Sequence, residues 1–286
     1  VHLQVAAVFV HSLMRALGVL LLVGLIYHAY CDVFPLDGLW VVANRNGSIT
    51  TSATVPGNIF TDLIDANILS DPYYGYNDVE YRWVGMDNWT YSRQFTVESA
   101  FTENAHDGLQ PSTIAHLEDL LECDGIDTVS TIFINNKRVG TTNNMFLQVS
   151  VVATVAHPQY QFDVTSAVVV GVNNITIAFE SAITYANRKA SEYPYVLPYT
   201  GKYFTATELT RDDPSQNGEP NRNFIRKEAS SFSWDWGPCF VPQGIWRNIR
   251  LFTIHSTAIR FDNFYPSVSQ VSGTNFQVTI GVDLII

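Results

Sequence analysis

"TVSTIFINNKRVG", residues 128–140, decides the fold class of this chain. Its first half is rich in β-branched and aromatic residues, and the Asn135-Asn136 step that follows suits a tight two-residue turn, so the segment reads as a β-hairpin. The same signature recurs outward from it. "RQFTV" from Arg93, "YQFDV" from Tyr160, "NITIAFES" from Asn174 and "WRNIRLFTI" from Trp246 are short apolar or alternating runs bounded by Gly, Asn, Asp and Pro. An all-β chain is expected, with one exception. Between Asn58 and Asn67, Ile59, Phe60, Leu63 and Ile64 recur at helical spacing behind Pro56-Gly57, which predicts a short amphipathic helix lying on a sheet.

Only "RDDPSQNGEPNRN", residues 211–223, has the composition of a long exposed loop. After Ile254 the pattern restarts: "IRFDNFYPSV" and "NFQVTIGVDLII" read as two strands around a Ser272-Gly273-Thr274-Asn275 turn. A boundary is placed near His255, with a jelly-roll-like or other β-sandwich before it and the first strands of another β-domain after it.

The 286 residues carry 16 basic and 27 acidic side chains, a net charge of -11, and no run of Lys or Arg tracks a phosphate backbone. Nucleic acid is excluded as an expected partner. No metal-spaced His cluster, Gly-x-Ser-x-Gly elbow or phosphate-cradling glycine loop is present, and no cofactor is expected. Near the start, Met14-Arg15 precedes the apolar run "ALGVLLLVGLI", residues 16–26, and the small residues Ala29 and Cys31 follow it, which is the order of a secretory signal peptide. The run is shorter than the roughly 20 residues of a spanning helix, so no stable membrane anchor is expected. Residues 1–31 are read as leader, with 1–13 as sequence upstream of the true start, and cleavage is expected between Tyr30 and Phe34. Asn46-Gly-Ser, Asn88-Trp-Thr and Asn174-Ile-Thr are N-glycosylation sequons that fit that route. Cys123 and Cys239 are either bridged or free, and the sequence leaves both open.

The remaining stretch with chemical character is "SSFSWDWGPCF", residues 230–240. An aromatic face stacks on the C–H face of a sugar ring and a neighbouring carboxylate accepts hydrogen bonds from its hydroxyls, so Trp234, Asp235 and Trp236 suit a pyranose. The same residue types also suit a tryptophan-filled core corner with Asp235 capping the turn.

Sequence context separates the two. "SFSWDWGP" followed by "PQGIWRNIRL", together with "VPGNIFTDLIDANILSDPYYGYNDVEYRWVGMDNWTYSRQF", "GIDTVSTIFINNKRVG", "NNMF", "FDV", "SAITYA" and "NFIRKE", resembles the N-terminal domain of β-mannosidases of the animal lysosomal type, retaining exo-glycosidases of glycoside hydrolase family two. The resemblance covers most of Asp37 to Ile254. It implies a galactose-binding-like jelly-roll β-sandwich over 32–254, followed over 255–286 by the truncated start of an immunoglobulin-like β-sandwich. It also implies a β-mannoside oligosaccharide substrate, a (β/α)8 barrel beyond Ile286 that carries both catalytic glutamates and packs against this domain, and a lysosomal destination. No catalytic residue is expected in this chain. Trp234, Asp235 and Trp236 would be substrate-binding, and Arg226 and Lys227 would fix their loop through salt bridges. Tyr81, Arg82, Trp83 and Trp89 are read as structural. The chain departs from the family pattern at Asp119–Asp124 and at residues 147–159, which read either as natural insertions or as translated intron, and either is expected to disturb strand pairing.

Overall fold

The computed structural model describes residues 2–7, 31–98, 118–147, 160–195, 218–233, 237–254, 260–272 and 275–285. Two antiparallel sheets form its centre. The larger has the order β4-β3-β5-β11-β8-β9, built from β3 (Gly38–Asn44), β4 (Thr50–Val55), β5 (Trp89–Val97), β8 (Val129–Ile134), β9 (Lys137–Asn143) and β11 (Gly171–Phe179). The smaller has the order β10-β6-β13-β2, built from β2 (Cys31–Pro35), β6 (Glu118–Cys123), β10 (Tyr160–Asp163) and β13 (Ile249–Ile254). A short ladder of β7 (Ile126–Asp127) with β12 (Gly244–Ile245) closes one corner.

Strand alternation explains why two sheets stack. Along β5 and β11 burial alternates, broken only at the half-buried Arg93 and Gly171: Trp89, Tyr91, Phe95 and Val97 are buried on one, Asn173, Ile175, Ile177 and Phe179 on the other. All of these except Asn173 share one core with Trp40 and Val42 of β3, Ile132 and Ile134 of β8, Leu121 and Cys123 of β6, and Leu251 of β13. Each such apolar side chain removed from water contributes about 1.5–3 kcal/mol, so the interface between the sheets dominates the stability of the sandwich.

The hairpin expected at 128–140 is β8 and β9. Ile134 pairs with Lys137 across a two-residue turn, and Asn135 and Asn136 both take the positive φ, 50° and 65°, that a type I′ turn demands. The helix expected behind Pro56-Gly57 is α1 (Ile59–Asp65). Asn58 caps it: its Oδ1 accepts from the Phe60 and Thr61 amides at 3.0 and 3.3 Å, while Thr61 Oγ1 accepts from the Asn58 amide at 3.2 Å. Two short helices follow, α2 (Asn77–Glu80) and α3 (Trp83–Met86), and an unanticipated longer one, α4 (Ala182–Glu192), is capped by Ser181 Oγ accepting from the Thr184 amide at 3.3 Å.

One expectation is corrected. Asp119–Asp124 is no disruptive insertion, because Leu120–Cys123 lie inside β6, paired with β10 on one side and β13 on the other. Its charges are accommodated by partners across the ladder: Arg250 of β13 stands opposite Glu122 in register, pairs with it, and donates to both Asp124 oxygens at 2.8 and 3.0 Å. The second departure lies mostly at 148–159, outside the described residues. Residues 218–223 of the expected long loop run without a strand into a 3-10 turn at Arg222–Phe224, and 211–217 are again outside the described residues.

Beyond β13, β14 (Arg260–Ser272) and β15 (Asn275–Ile285) pair as the expected antiparallel hairpin, and β1 (His2–Ala7) adds to the far side of β15. Residues 8–30 and 255–259, which hold the apolar leader run and the boundary at His255, are outside the described residues.

Asp62 of α1 is buried, with its carboxylate accepting from the Tyr91 hydroxyl at 2.7 Å and the Thr54 amide at 2.9 Å. Burial raises its pKa; the hydrogen bonds from Tyr91 and Thr54 oppose the shift, and nearby Asp65 adds to it. A carboxylate whose pKa is higher folded than unfolded favours folding most below its unfolded value, and this contribution is lost as pH rises through the folded value. The melting temperature of the wild type relative to Asp62→Asn is therefore expected to rise as pH falls from about 7 toward about 4, since the variant lacks the titration. A difference that stays flat, or shrinks with acid, would show that the pKa is not raised.

Candidate functional site

The chain around the Trp-Asp-Trp tripeptide is held at both ends. Trp234, Asp235 and Trp236 themselves lie outside the described residues, and the frame on either side is described. Ser233 has a φ of 81°, and its Oγ donates to the Gly237 carbonyl at 2.7 Å, tying the residues that flank the tripeptide to each other. Arg222 Nη1 donates to the Ser233 carbonyl at 3.0 Å. Gly218 passes so close beneath Phe232 that a Cβ there would sit 1.6 Å from the Phe232 carbonyl oxygen, so only glycine fits.

A second apolar cluster supports this frame. Phe232, Cys239 and Val241 pack with Ile225 and with Ala182, Ile183 and Ala186 of α4. That helix is docked on the sandwich by Ser181, whose Oγ donates to the Gly85 carbonyl at 2.7 Å and whose amide donates to Asn88 Oδ1 at 2.9 Å. Cys239 and Cys123 are both free and buried, which resolves the alternative left open by sequence. Burial pushes both thiols up, Cys239 to about 11, so neither is a nucleophile at neutral pH.

A buried ion pair lies in the chain just before the frame. Lys227 Nζ binds Asp127 of β7, and also reaches Glu228 Oε1 at 3.1 Å; Glu228 in turn accepts from Ser231 Oγ, and Asp127 from Thr128 Oγ1. The Lys227 side chain is 0 % exposed and that of Asp127 7 %. Burial raises the Asp127 pKa; Lys227 opposes this, and Glu228 reinforces it. The salt bridge expected for Lys227 is therefore present. Arg226 differs: it forms no ion pair among the described residues and stands exposed, its guanidinium 6.0 Å from the Phe146 ring centroid. The reason is the extended backbone here, bridged to Asn144, which sends neighbouring side chains to opposite sides.

Of the aromatics read as structural, Trp89 and Tyr81 pack on the core, while Trp83 is 36% exposed. Trp89 is fully buried and donates from Nε1 to the Val84 carbonyl at 2.9 Å; Trp83 leans on it at 6.2 Å; Tyr81 packs on the core and its hydroxyl bonds Ser70 Oγ at 2.8 Å. Arg82 is half-buried. Among the sequons, Asn46 is exposed on the β3–β4 turn, while Asn88 and Asn174 are half-buried. No three His, Cys, Asp or Glu side chains among the described residues converge where a metal could bind, and no helix among them is long and apolar enough to cross a membrane.

The architecture is that of a two-sheet antiparallel β-sandwich, and comparison with known proteins identifies its class. Residues 40–247 match the family described as "Glycosyl hydrolase 2 galactose-binding domain-like", and the chain belongs to it. The particular relatives are β-mannosidases. The chain is 34% identical to the β-mannosidase of Mus musculus over 273 residues, 93% of this chain and 27% of that protein, and 37% identical to that of Rattus norvegicus over 242 residues, 83% of this chain and 24% of that protein. Among solved structures, the β-D-mannosidase of Dictyoglomus thermophilum superposes with a TM-score of 0.67 at 28% identity, covering 88% of this chain and 26% of that one. A β-glucuronidase from an uncultured Clostridium, at 14% identity and a TM-score of 0.52, shares the fold. The chain thus spans about a quarter of the length of the curated relatives it matches.

Sequence reasoning missed α4 and the Asp127 partner of Lys227. The aspartate lies 100 residues away from the lysine, beyond the reach of any local pattern.

Proposed function

We propose that this chain is the N-terminal part of a β-mannosidase that removes terminal β-linked mannose from the non-reducing end of oligosaccharides released in glycoprotein breakdown. The observation that carries the reading is the similarity to β-mannosidases over most of the chain. In it, the domain packs against a catalytic barrel encoded beyond Ile286. The tripeptide Trp234–Trp236 reaches the barrel mouth, where Asp235 accepts hydrogen bonds from mannose hydroxyls and a tryptophan walls the ring. The bond-breaking belongs to two barrel carboxylates about 5–5.5 Å apart, one the acid/base and the other the nucleophile, as retention requires.

The test is activity on an aryl β-mannoside. The purified 286-residue chain is expected to show none, and the product of a transcript extended past Ile286 is expected to turn it over. Turnover by the short chain, after host enzyme is removed, would refute the division of labour; a stop codon just past Ile286 would favour a non-catalytic secreted carbohydrate-binding protein instead.

The same reading routes the protein through the secretory pathway to the lysosome, with residues 1–31 removed and Asn46, Asn88 and Asn174 as glycan acceptors. Asn46 is the most exposed of the three, and Asn88 keeps its Nδ2 clear of the bond that its Oδ1 accepts from Ser181. N-terminal sequencing and glycopeptide mapping of protein recovered from animal cells test the route together. A retained apolar run with unmodified sequons would sink it.

A further inference from the structure

Three tyrosines stand out from the surface within four residues. Tyr73, Tyr74 and Tyr76 are 76%, 77% and 76% exposed, although large apolar side chains so bare are ordinarily scattered singly. Their segment is not loose. Asp71 Oδ1 accepts from the Tyr73 amide at 2.8 Å, and Asn77 Nδ2 donates to the Asp71 carbonyl at 2.7 Å and to Ser70 Oγ at 3.1 Å. Gly75, at a φ of 61°, supplies the left-handed residue that turns the chain between the second and third rings. The rings are thus presented on a knit turn, so that little ordering entropy remains to oppose a ligand.

Their position relates them to the sugar site. The Tyr73 ring meets Phe240 edge-on, 5.5 Å between centroids, and Phe240 rests on Phe60 of α1 at 5.3 Å. Phe240 follows closely on Gly237, the far end of the Ser233–Gly237 closure. The tyrosine turn therefore flanks the segment that leaves the sugar-binding tripeptide.

We infer that Tyr73, Tyr74 and Tyr76 form a stacking platform for the sugar units of the oligosaccharide that follow its terminal mannose. This rests on the function proposed above and adds to it a second contact region for the leaving portion of the substrate. Each tyrosine offers an apolar ring for a pyranose C–H face and a hydroxyl tip for its polar edge. Exposed carboxylates share the segment, Asp71 and Glu80. The core of a protein–protein contact is depleted in such groups, whereas sugar hydroxyls donate to them, and this favours a carbohydrate occupant over the polypeptide beyond Ile286.

The experiment uses Tyr74→Ala/Tyr76→Ala in the extended enzyme, because Tyr73 also supports Phe240. Values of kcat/KM are measured for an aryl β-mannoside and for a β-linked mannotriose, with the melting temperature. The expected result is a fall of about tenfold on mannotriose, equivalent to about 1.4 kcal/mol, with the aryl substrate and melting temperature unchanged. An equal fall on both substrates together with a lower melting temperature would make the tyrosines an interface with the rest of the polypeptide and overturn the inference, as would no change on either. If the wild-type extended enzyme hydrolyses neither substrate, the proposed function fails separately. Titration of mannotriose into the 286-residue chain, read on the tyrosine ring resonances, then decides the platform: shifts lost in the double variant support it, and unmoved resonances overturn it.

Discussion

Asp235→Ala in the extended enzyme is expected to lower kcat/KM for β-mannosides by roughly tenfold to several thousandfold, with the melting temperature held. A carboxylate accepting from a sugar hydroxyl makes a charge-assisted bond typically worth about 1.5–3 kcal/mol, and the loss of one or two such bonds sets that range. The loss grows if the bonds tighten in the transition state, and it then appears in kcat as well as KM. Folding is expected to survive because the ends of the segment are fixed without the Asp235 side chain, by Ser233 on Gly237 and Arg222 on Ser233. Trp234→Ala is a poorer probe, since truncating a tryptophan that packs would mimic a binding defect. Retained activity with a lowered melting temperature for Asp235→Ala would make it a structural cap and remove it from the pocket.

The second large effect is on stability. Lys227→Ala and Asp127→Ala are each expected to cost about 3–5 kcal/mol in denaturant unfolding, because each leaves the other charge buried and unpaired. The double replacement Lys227→Met/Asp127→Leu is expected to recover most of that loss, since apolar groups of similar volume fill the site without a desolvation penalty. Single variants within about 1 kcal/mol of wild type would mean that water reaches the pair and that it holds nothing in place.

How much of this was legible depended on distance along the chain. The β8–β9 hairpin and α1 declare themselves because their determinants are local: two asparagines that tolerate positive φ in one case, and an Asn58–Thr61 capping box ahead of spaced apolar residues in the other. Helix α4 hides because it buries only Ala182, Ile183 and Ala186, and alanine contributes little to an apolar stripe. The pairing of strand β6 is hidden in the sequence because "DLLECD" reads as two leucines among acids. The acids make sense only once Arg250, more than a hundred residues later, stands beside them. For the tripeptide at 234–236 the sequence offers residue types and a resemblance that point to a sugar, while the frame on either side depends on Arg222, Gly218 and α4, which no local pattern joins. The exposure of the tyrosine turn could not be read from sequence either, since aromatic runs between strands are more often core.

The outermost strand of the smaller sheet bears on where a leader can end. β2 meets β13 through five successive partners, from Cys31 opposite Ile254 to Pro35 opposite Arg250, and has no second neighbour among the described residues. A peptidase cutting just ahead of Cys31 leaves every rung of that ladder in the mature protein. A cut two residues later discards the rungs at Cys31 and Asp32, and a cut ahead of Phe34 leaves a stub of two, uncovering the backbone of β13 as a bare border open to pairing with another chain. If the proposed leader is removed, the trimming enzyme sets the width of the sheet, and a ragged start would create a mixture of molecules that differ in their tendency to stick to one another.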